Sequence, residues 1–276
     1  MTALELTGAW PVHNVAAGYL TGDGPSLTSG DAHRRFPLAS LTKLLTALAA
    51  LVAVEEGSIG LDEPAVTMPE ATVRHLLAHT SGLPFEGEVP IGRPGARRIY
   101  SNTGIERLAA HVADRTGIPF ATYLAEAVFE PLEMGCELGE RSPAAGAVGS
   151  LLDVLALGRE LLAPTLISPA TLAEATSVQY PGLSGVVPGI GHMDPCDWGL
   201  GFELRDAKSP HWTGAGNAPG TFGHFGGSGT FLWVDPVAGV ACAALTDRTF
   251  GGWALEAWPA FADAVLAETA ANRSHP

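Results

Sequence analysis

Ser40-Leu41-Thr42-Lys43-Leu44-Leu45-Thr46-Ala47-Leu48-Ala49-Ala50-Leu51 runs from a polar tetrad into an almost unbroken apolar segment. Leucine and alanine at this density favour a helix, and a helix apolar on nearly every side belongs inside a core. On that helix, positions three apart share a face, so the Ser40 hydroxyl and the Lys43 amine can touch. A serine hydroxyl is a weak nucleophile until a neighbour takes its proton, and a neutral amine can take it. Lysine ordinarily titrates near ~10.4, so the site has to lower that by about three units, roughly 4 kcal/mol, through burial or nearby cations. The apolar run supplies the burial. Ser40 also falls at the expected helix N-terminus, where free N–H groups and the helix dipole favour developing negative charge.

Working outward, Asn14 to Thr21, closed by Gly22-Asp23-Gly24, reads as a strand and turn. The Ser40 helix ends near Glu55-Glu56-Gly57, with Gly57 as its C-terminal cap. Helical periodicity marks Val73 to Ala78, Asn102 to Arg115, Pro119 to Phe129 and Leu151 to Leu162, and Ser168-Pro169-Ala170 starts another helix. From Pro181 to Pro195 glycine and proline are dense, and strand-like runs follow at Gly199 to Arg205, Gly229 to Asp235 and Val240 to Thr246. Asp235-Pro236-Val237-Ala238-Gly239 reads as the turn between the last two. Trp253 to Ala270 reads as a closing amphipathic helix. Strands at both ends with helices between predict an α/β (α+β) fold: an antiparallel sheet flanked by helices, built from both chain ends, with an inserted, mainly helical domain. The expected boundaries are 1–55 with 191–276 for the sheet domain, and 56–190 for the helical one.

Composition sets further bounds. With 276 residues, 46% hydrophobic and 16% charged, the chain can bury a large core. A net charge of −14 argues against nucleic acid, whose phosphates need a basic face. Cys136, Cys196 and Cys242 are widely spaced and odd in number, the usage of a reducing compartment. The N-terminal residues lack a basic and apolar leader pattern, so the expectation is a cytoplasmic protein. Leu44 to Val54 is too short to span a bilayer. His75 and His79 share zinc-motif spacing but lack the intervening glutamate, and His192-Met193-Asp194-Pro195-Cys196-Asp197 reads as a turn, so no metal is expected. Gly226-Gly227-Ser228-Gly229-Thr230 ends in threonine, so a Gly-x-Ser-x-Gly elbow is missing.

Three segments join Ser40 and Lys43: His75-Leu76-Leu77-Ala78-His79-Thr80-Ser81-Gly82-Leu83-Pro84, then Tyr100-Ser101-Asn102 after Pro94-Gly95, then Gly223-His224-Phe225-Gly226-Gly227-Ser228-Gly229-Thr230. In this order, with Ala145 to Ser150, Asp153 and Trp198 to Phe202, they resemble the class C β-lactamase family of serine hydrolases. That family also holds D-Ala-D-Ala carboxypeptidases and a group of esterases. The resemblance implies an active site between the two domains. It implies Ser40 as the acylated nucleophile and Lys43 as its proton-accepting partner. Tyr100 matches the tyrosine that moves protons to the leaving group, and its phenol would need a cation such as Lys43 to lower it. Close groups titrate as a unit, so Lys43 and Tyr100 both stand as candidates for the base. Asn102 matches the residue that orients the amine and meets the acyl side chain; it is also the expected N-cap of the following helix. The oxyanion would be held by the N–H groups of Ser40 and Gly227, where glycine lets the backbone come close.

One segment departs from the family. Where β-lactamases and carboxypeptidases usually carry Lys-Thr-Gly or Lys-Ser-Gly, this chain has His224-Phe225-Gly226. The fixed charge and hydroxyl that anchor a substrate carboxylate are therefore missing, which favours neutral esters. Histidine here is expected to polarise the site and assist proton transfer. The expected function is a serine esterase acting on small carboxylic esters through an acyl-enzyme, without metal or organic cofactor. The alternatives are a β-lactamase or D-amino-acid peptidase and, in another class, a non-catalytic ligand-binding or sensing relative. A small-molecule substrate is the only partner implied.

Overall fold

A computed structural model describes residues 2–22 and 24–273. Its centre is a six-stranded antiparallel sheet. Numbered in chain order, its members are β1 (Val15–Thr21), β2 (Leu27–Ser29), β9 (Glu203–Leu204), β10 (Phe222–Gly226), β11 (Thr230–Asp235) and β12 (Val240–Thr246). Three short pairs account for the other strands: β3 (Phe36–Pro37) with β6 (Val148–Gly149), β4 (Pro64–Ala65) with β5 (Met68–Thr72), and β7 (Gly185–Val187) with β8 (Gly191–Met193). Across the sheet the order is β2-β1-β12-β11-β10-β9, so the first long strand pairs with the last, Val15 opposite Thr246 through Thr21 opposite Val240. The sheet is thus closed by the two ends of the chain, as the strand pattern predicts.

Both faces of this sheet are covered, and the side chains sort by the two-residue period of a strand. Ala241, Ala243 and Leu245 of β12, with Leu232 and Val234 of β11, enter one core; Val240, Cys242 and Ala244, with Phe231 and Trp233, enter the other. The first core includes helix α5 (Leu151–Leu162), where a Cβ on Gly158 would come within 3.0 Å of the Ala241 Cβ; its hydrogen lets helix and sheet close together. The second is covered by a 3-10 helix (Ala3–Ala9) and by α7 (Gly252–Arg273), whose Trp258, Phe261 and Val265 are buried.

Helix α1 (Thr42–Glu55) runs through the first core with eleven buried residues, including Lys43. Beside it lie α2 (Val73–Leu77), α3 (Asn102–Thr116) and α4 (Phe120–Leu124), the last continuing into a wider turn at Ala125–Phe129; α6 (Pro169–Ala175) follows further along the chain. Helix α5 falls within 56–190 yet packs on the sheet, so the division at 56 and 190 is retained as a proposal rather than a structural boundary. Asn102 is not the cap of α3. Ser101 is, its hydroxyl accepting from the Gly104 N–H, and Asn102 is left as the first helical residue with its amide free for the site. The three cysteines are free and buried, and burial pushes the thiols of Cys136, Cys196 and Cys242 above their ordinary values. Among the described residues no helix is long and apolar enough to cross a membrane.

Candidate active site

The residues singled out in sequence meet at one place. Ser40 lies in a 3-10 turn, Ala39–Leu41, that leads into α1, and Lys43 follows one turn later with its Nζ 3.1 Å from Ser40 Oγ. Ala39 holds φ at 46°, a left-handed conformation uncommon for a residue with a side chain. Strain of this kind persists only when the surroundings impose it. Here Ser228 Oγ donates to the Pro37 carbonyl and Thr230 Oγ1 to the Leu38 carbonyl, tying the turn that carries Ser40 to the start of β11. The Leu38 N–H donates to the Ala147 carbonyl, and the Ala147 N–H to Thr42 Oγ1.

Lys43 is wholly buried, and burial lowers its amine from 10.5 to about 7 against a weaker opposing pull from Glu106. Its Nζ donates to Asn102 Oδ1 at 2.6 Å and to the Ala144 carbonyl at 2.9 Å. A neutral amine has two N–H bonds and one lone pair. With both hydrogens committed to those oxygens, the lone pair faces Ser40 Oγ. That geometry can take the serine proton. Ala144 is a member of this constellation that the sequence conceals, because its contribution is a backbone carbonyl.

Tyr100 and His224 form the opposite wall. Both are buried, and Tyr100 Oη lies 3.0 Å from His224 Nε2. The expectation that Lys43 would lower the phenol is corrected. Burial pushes it above its ordinary value, with Ser40 acting in the opposite sense, and Lys43 Nζ lies over the ring face, 4.8 Å from its centroid, rather than beside the hydroxyl. The phenol therefore stays protonated at neutral pH. His224 is lowered from 6.5 to about 3, first by burial and then by Lys43, with Glu203 opposing. Its Nδ1 lies 2.7 Å from both the N–H and the carbonyl oxygen of Phe225. A neutral imidazole can thus serve the Tyr100 hydroxyl as donor or as acceptor, and in neither case carries charge.

His79 backs this wall. Its Nδ1 accepts from the Ser101 N–H at 3.2 Å and its ring packs on those of Tyr100 and Trp198. His75 instead hydrogen-bonds Thr72 at the start of α2 and stacks on Tyr180, so the two histidines serve separate ends. Ser40 and Gly227 both line a small chamber of about 220 Å³ with Tyr100 and His224. Close packing at this corner belongs to Gly226, not Gly227. A Cβ at Gly226 would lie 2.5 Å from the Leu38 carbonyl oxygen and 2.4 Å from Thr230 Oγ1, whereas one at Gly227 would meet nothing within 4 Å.

With this geometry in hand, similarity to known proteins can be set beside it. The profile of the β-lactamase family matches residues 7–267. A crystal structure described as a β-lactamase from Mycobacterium bovis shares 52% identity and a TM-score of 0.95, covering 97% of this chain and 99% of that one. Esterase EstB of Burkholderia gladioli is 25% identical over 84% of this chain and 82% of its own length. Penicillin-binding protein 4* of Bacillus subtilis is 30% identical over 36% of this chain, a stretch spanning only 29% of that protein.

Proposed function

This chain belongs to the β-lactamase family of serine hydrolases, and on that premise we propose that it is an esterase acting on small carboxylic esters through an acyl-enzyme on Ser40. The observation that carries the proposal is the buried Lys43 amine, held by Asn102 and Ala144 with its remaining site toward Ser40 Oγ. Lys43 accepts the serine proton as Oγ attacks the ester carbonyl. The oxyanion that develops is met by the backbone N–H groups of Ser40 and Gly227. The departing alkoxide takes the Lys43 proton by way of the Tyr100 hydroxyl, which gives one proton as it gains another and stays neutral with His224 behind it. A water then attacks the acyl group, its proton passes back along the same path to Lys43, and Lys43 returns it to Ser40 Oγ as the acyl–oxygen bond breaks. Tyr100 is a poor base in this setting because burial disfavours its anion. The base role falls to Lys43.

The neutral state of His224 supports an uncharged substrate. A buried imidazole lowered to about 3 offers no cation to a carboxylate at neutral pH, and Phe225 has no hydroxyl to add. β-Lactam hydrolysis is the second reading, favoured by the 52% identity to the mycobacterial β-lactamase. Sustained hydrolysis of p-nitrophenyl butyrate that vanishes in Ser40→Ala, with slow or no turnover of nitrocefin, supports the esterase. The reverse preference supports the β-lactamase. A burst of one equivalent with no further turnover points to a sensing relative, and undiminished turnover in Ser40→Ala refutes the nucleophile.

A further inference from the structure

Two cavities meet at the ring of Tyr100. The smaller is the chamber around Ser40, bounded by His224, Phe225 and Phe250. The larger, about 430 Å³, lies between the loop carrying Phe85 and Ile91 and the hairpin carrying Val186. Phe85, Tyr100 and Pro188 line both, and the Phe85 and Tyr100 rings are stacked at 5.9 Å with 18° between their planes. The two rings are the shared wall between a reaction chamber and an adjoining groove.

The groove is mainly apolar, with Arg97, Ser184 and His192 as polar members of its lining. Phe85 is 48% exposed, Ile91 58% and Val186 53%, and Val89 on the same loop is 76% exposed. Large apolar side chains held in water around the entrance of a cavity are surface that an apolar ligand can cover. Such a ligand would lie in a cavity that adjoins the Ser40 chamber across Phe85, Tyr100 and Pro188, where one arm of a substrate held at Ser40 would reach it.

The position of the proton donor decides which arm. Tyr100 Oη faces His224 Nε2, and His224 lines the chamber but not the groove. The alkoxide has to leave within reach of that hydroxyl, on the chamber side of the ring. The other arm of the ester, the acyl chain, is then directed to the groove. Resting on the esterase reading above, we infer that this groove is an acyl-chain site, that the preferred substrates are esters of uncharged carboxylic acids of medium chain length, and that Phe85, Ile91 and Val186 set that length.

Each methylene that leaves water on entering the groove raises kcat/KM by about fourfold. Because the mouth is open, only part of a chain is covered, and a rise of at least about tenfold from acetate to octanoate is expected. The test compares kcat/KM for p-nitrophenyl acetate and p-nitrophenyl octanoate, kept below micelle-forming concentration. It uses wild type, Ser40→Ala as blank, Val186→Trp, and Val237→Trp at an exposed turn distant in sequence. The inference expects the octanoate-to-acetate ratio to exceed ten in wild type, to fall at least about tenfold in Val186→Trp as the indole fills the groove, and to hold in Val237→Trp. Using the ratio within one variant removes any general loss of activity or folded protein. A flat ratio in wild type, or one that Val186→Trp does not move, overturns the acyl site while leaving the esterase reading intact. So does a wild-type preference for octyl acetate over ethyl acetate that Val186→Trp abolishes, since the groove would then hold the alcohol. Absence of Ser40-dependent hydrolysis of every ester overturns the esterase reading and this inference with it.

Discussion

Replacing Asn102 by aspartate should turn the Lys43 amine, the proposed acceptor of the serine proton, into a fixed cation. Asn102 Oδ1 lies 2.6 Å from Lys43 Nζ, and the substitution changes the group's charge while barely changing its shape. At that separation a carboxylate and an ammonium attract by about 6 kcal/mol at an effective dielectric constant of ~20, equivalent to more than four pKa units. Desolvation of the new carboxylate offsets roughly half of this, leaving a rise of about two units. Lys43, at about 7 in the native protein, would move to about 9. Below its pKa the amine is protonated and Ser40 has no acceptor for its proton, so kcat/KM rises with pH through the pKa and levels off above it. The wild-type limb is therefore expected near neutrality and that of Asn102→Asp about two units higher, with the neutral fraction at pH ~7.5 falling from about three-quarters to about 3%. Activity at that pH should drop roughly 25-fold and largely return by pH ~10. The assay is kcat/KM for p-nitrophenyl butyrate across that range, with Ser40→Ala subtracted for spontaneous hydrolysis. A uniform loss at every pH, with the limb unmoved, would refute Lys43 as the titrating base.

Tyr100→Phe should lower kcat by about 10²–10⁴ by removing the proton donor to the leaving oxygen; an ester with a leaving group too acidic to need that proton should lose far less, and equal losses for both would contradict the role. Gly226→Ala places a Cβ against the Leu38 carbonyl and Thr230 Oγ1, so about 1–3 kcal/mol of stability should be lost. Thermal unfolding would show it as a drop of about 2–4 °C for each kcal/mol, and an unchanged Tm would mean the corner relaxes freely. His224→Lys restores a cation at the position facing Tyr100 and should shift the ratio of nitrocefin to ester turnover toward nitrocefin by at least about tenfold; an unmoved ratio would show that the missing cation does not set substrate preference.

The parts of the fold that showed in sequence are those where side chains carry the signal. The two central strands β11 and β12 and the helices α1, α3 and α5 all follow from apolar periodicity and appear where expected. The run Gly223-His224-Phe225-Gly226-Gly227 hides a full strand, β10, because glycine there serves close packing rather than a turn. The strand expected over Gly199 to Arg205 shrinks to Glu203–Leu204, since Gly201 at φ 86° turns the chain beneath α1. Pro181 to Pro195, read only as dense in glycine and proline, carries the β7–β8 hairpin, and Leu27–Ser29 and the 3-10 helix at Ala3–Ala9 are too short to show a period. At the candidate site, Ser40, Lys43, Tyr100, Asn102 and His224 stand out in sequence because each is a side chain at a motif position, and the structure brings them together. The Ala144 carbonyl, the left-handed Ala39 and the close packing at Gly226 rather than Gly227 are backbone properties, which no residue letter announces.

The central claim is a covalent bond between Ser40 and the acyl group. Intact-protein mass spectrometry after acid quench during turnover of p-nitrophenyl butyrate, followed by peptide mapping, reads it directly. One butyryl group on the peptide containing Ser40, present during turnover, lost as substrate is exhausted and missing in Ser40→Ala, is the predicted result. Turnover with no adduct trapped under any quench, or an adduct on another residue that persists in Ser40→Ala, would contradict the account.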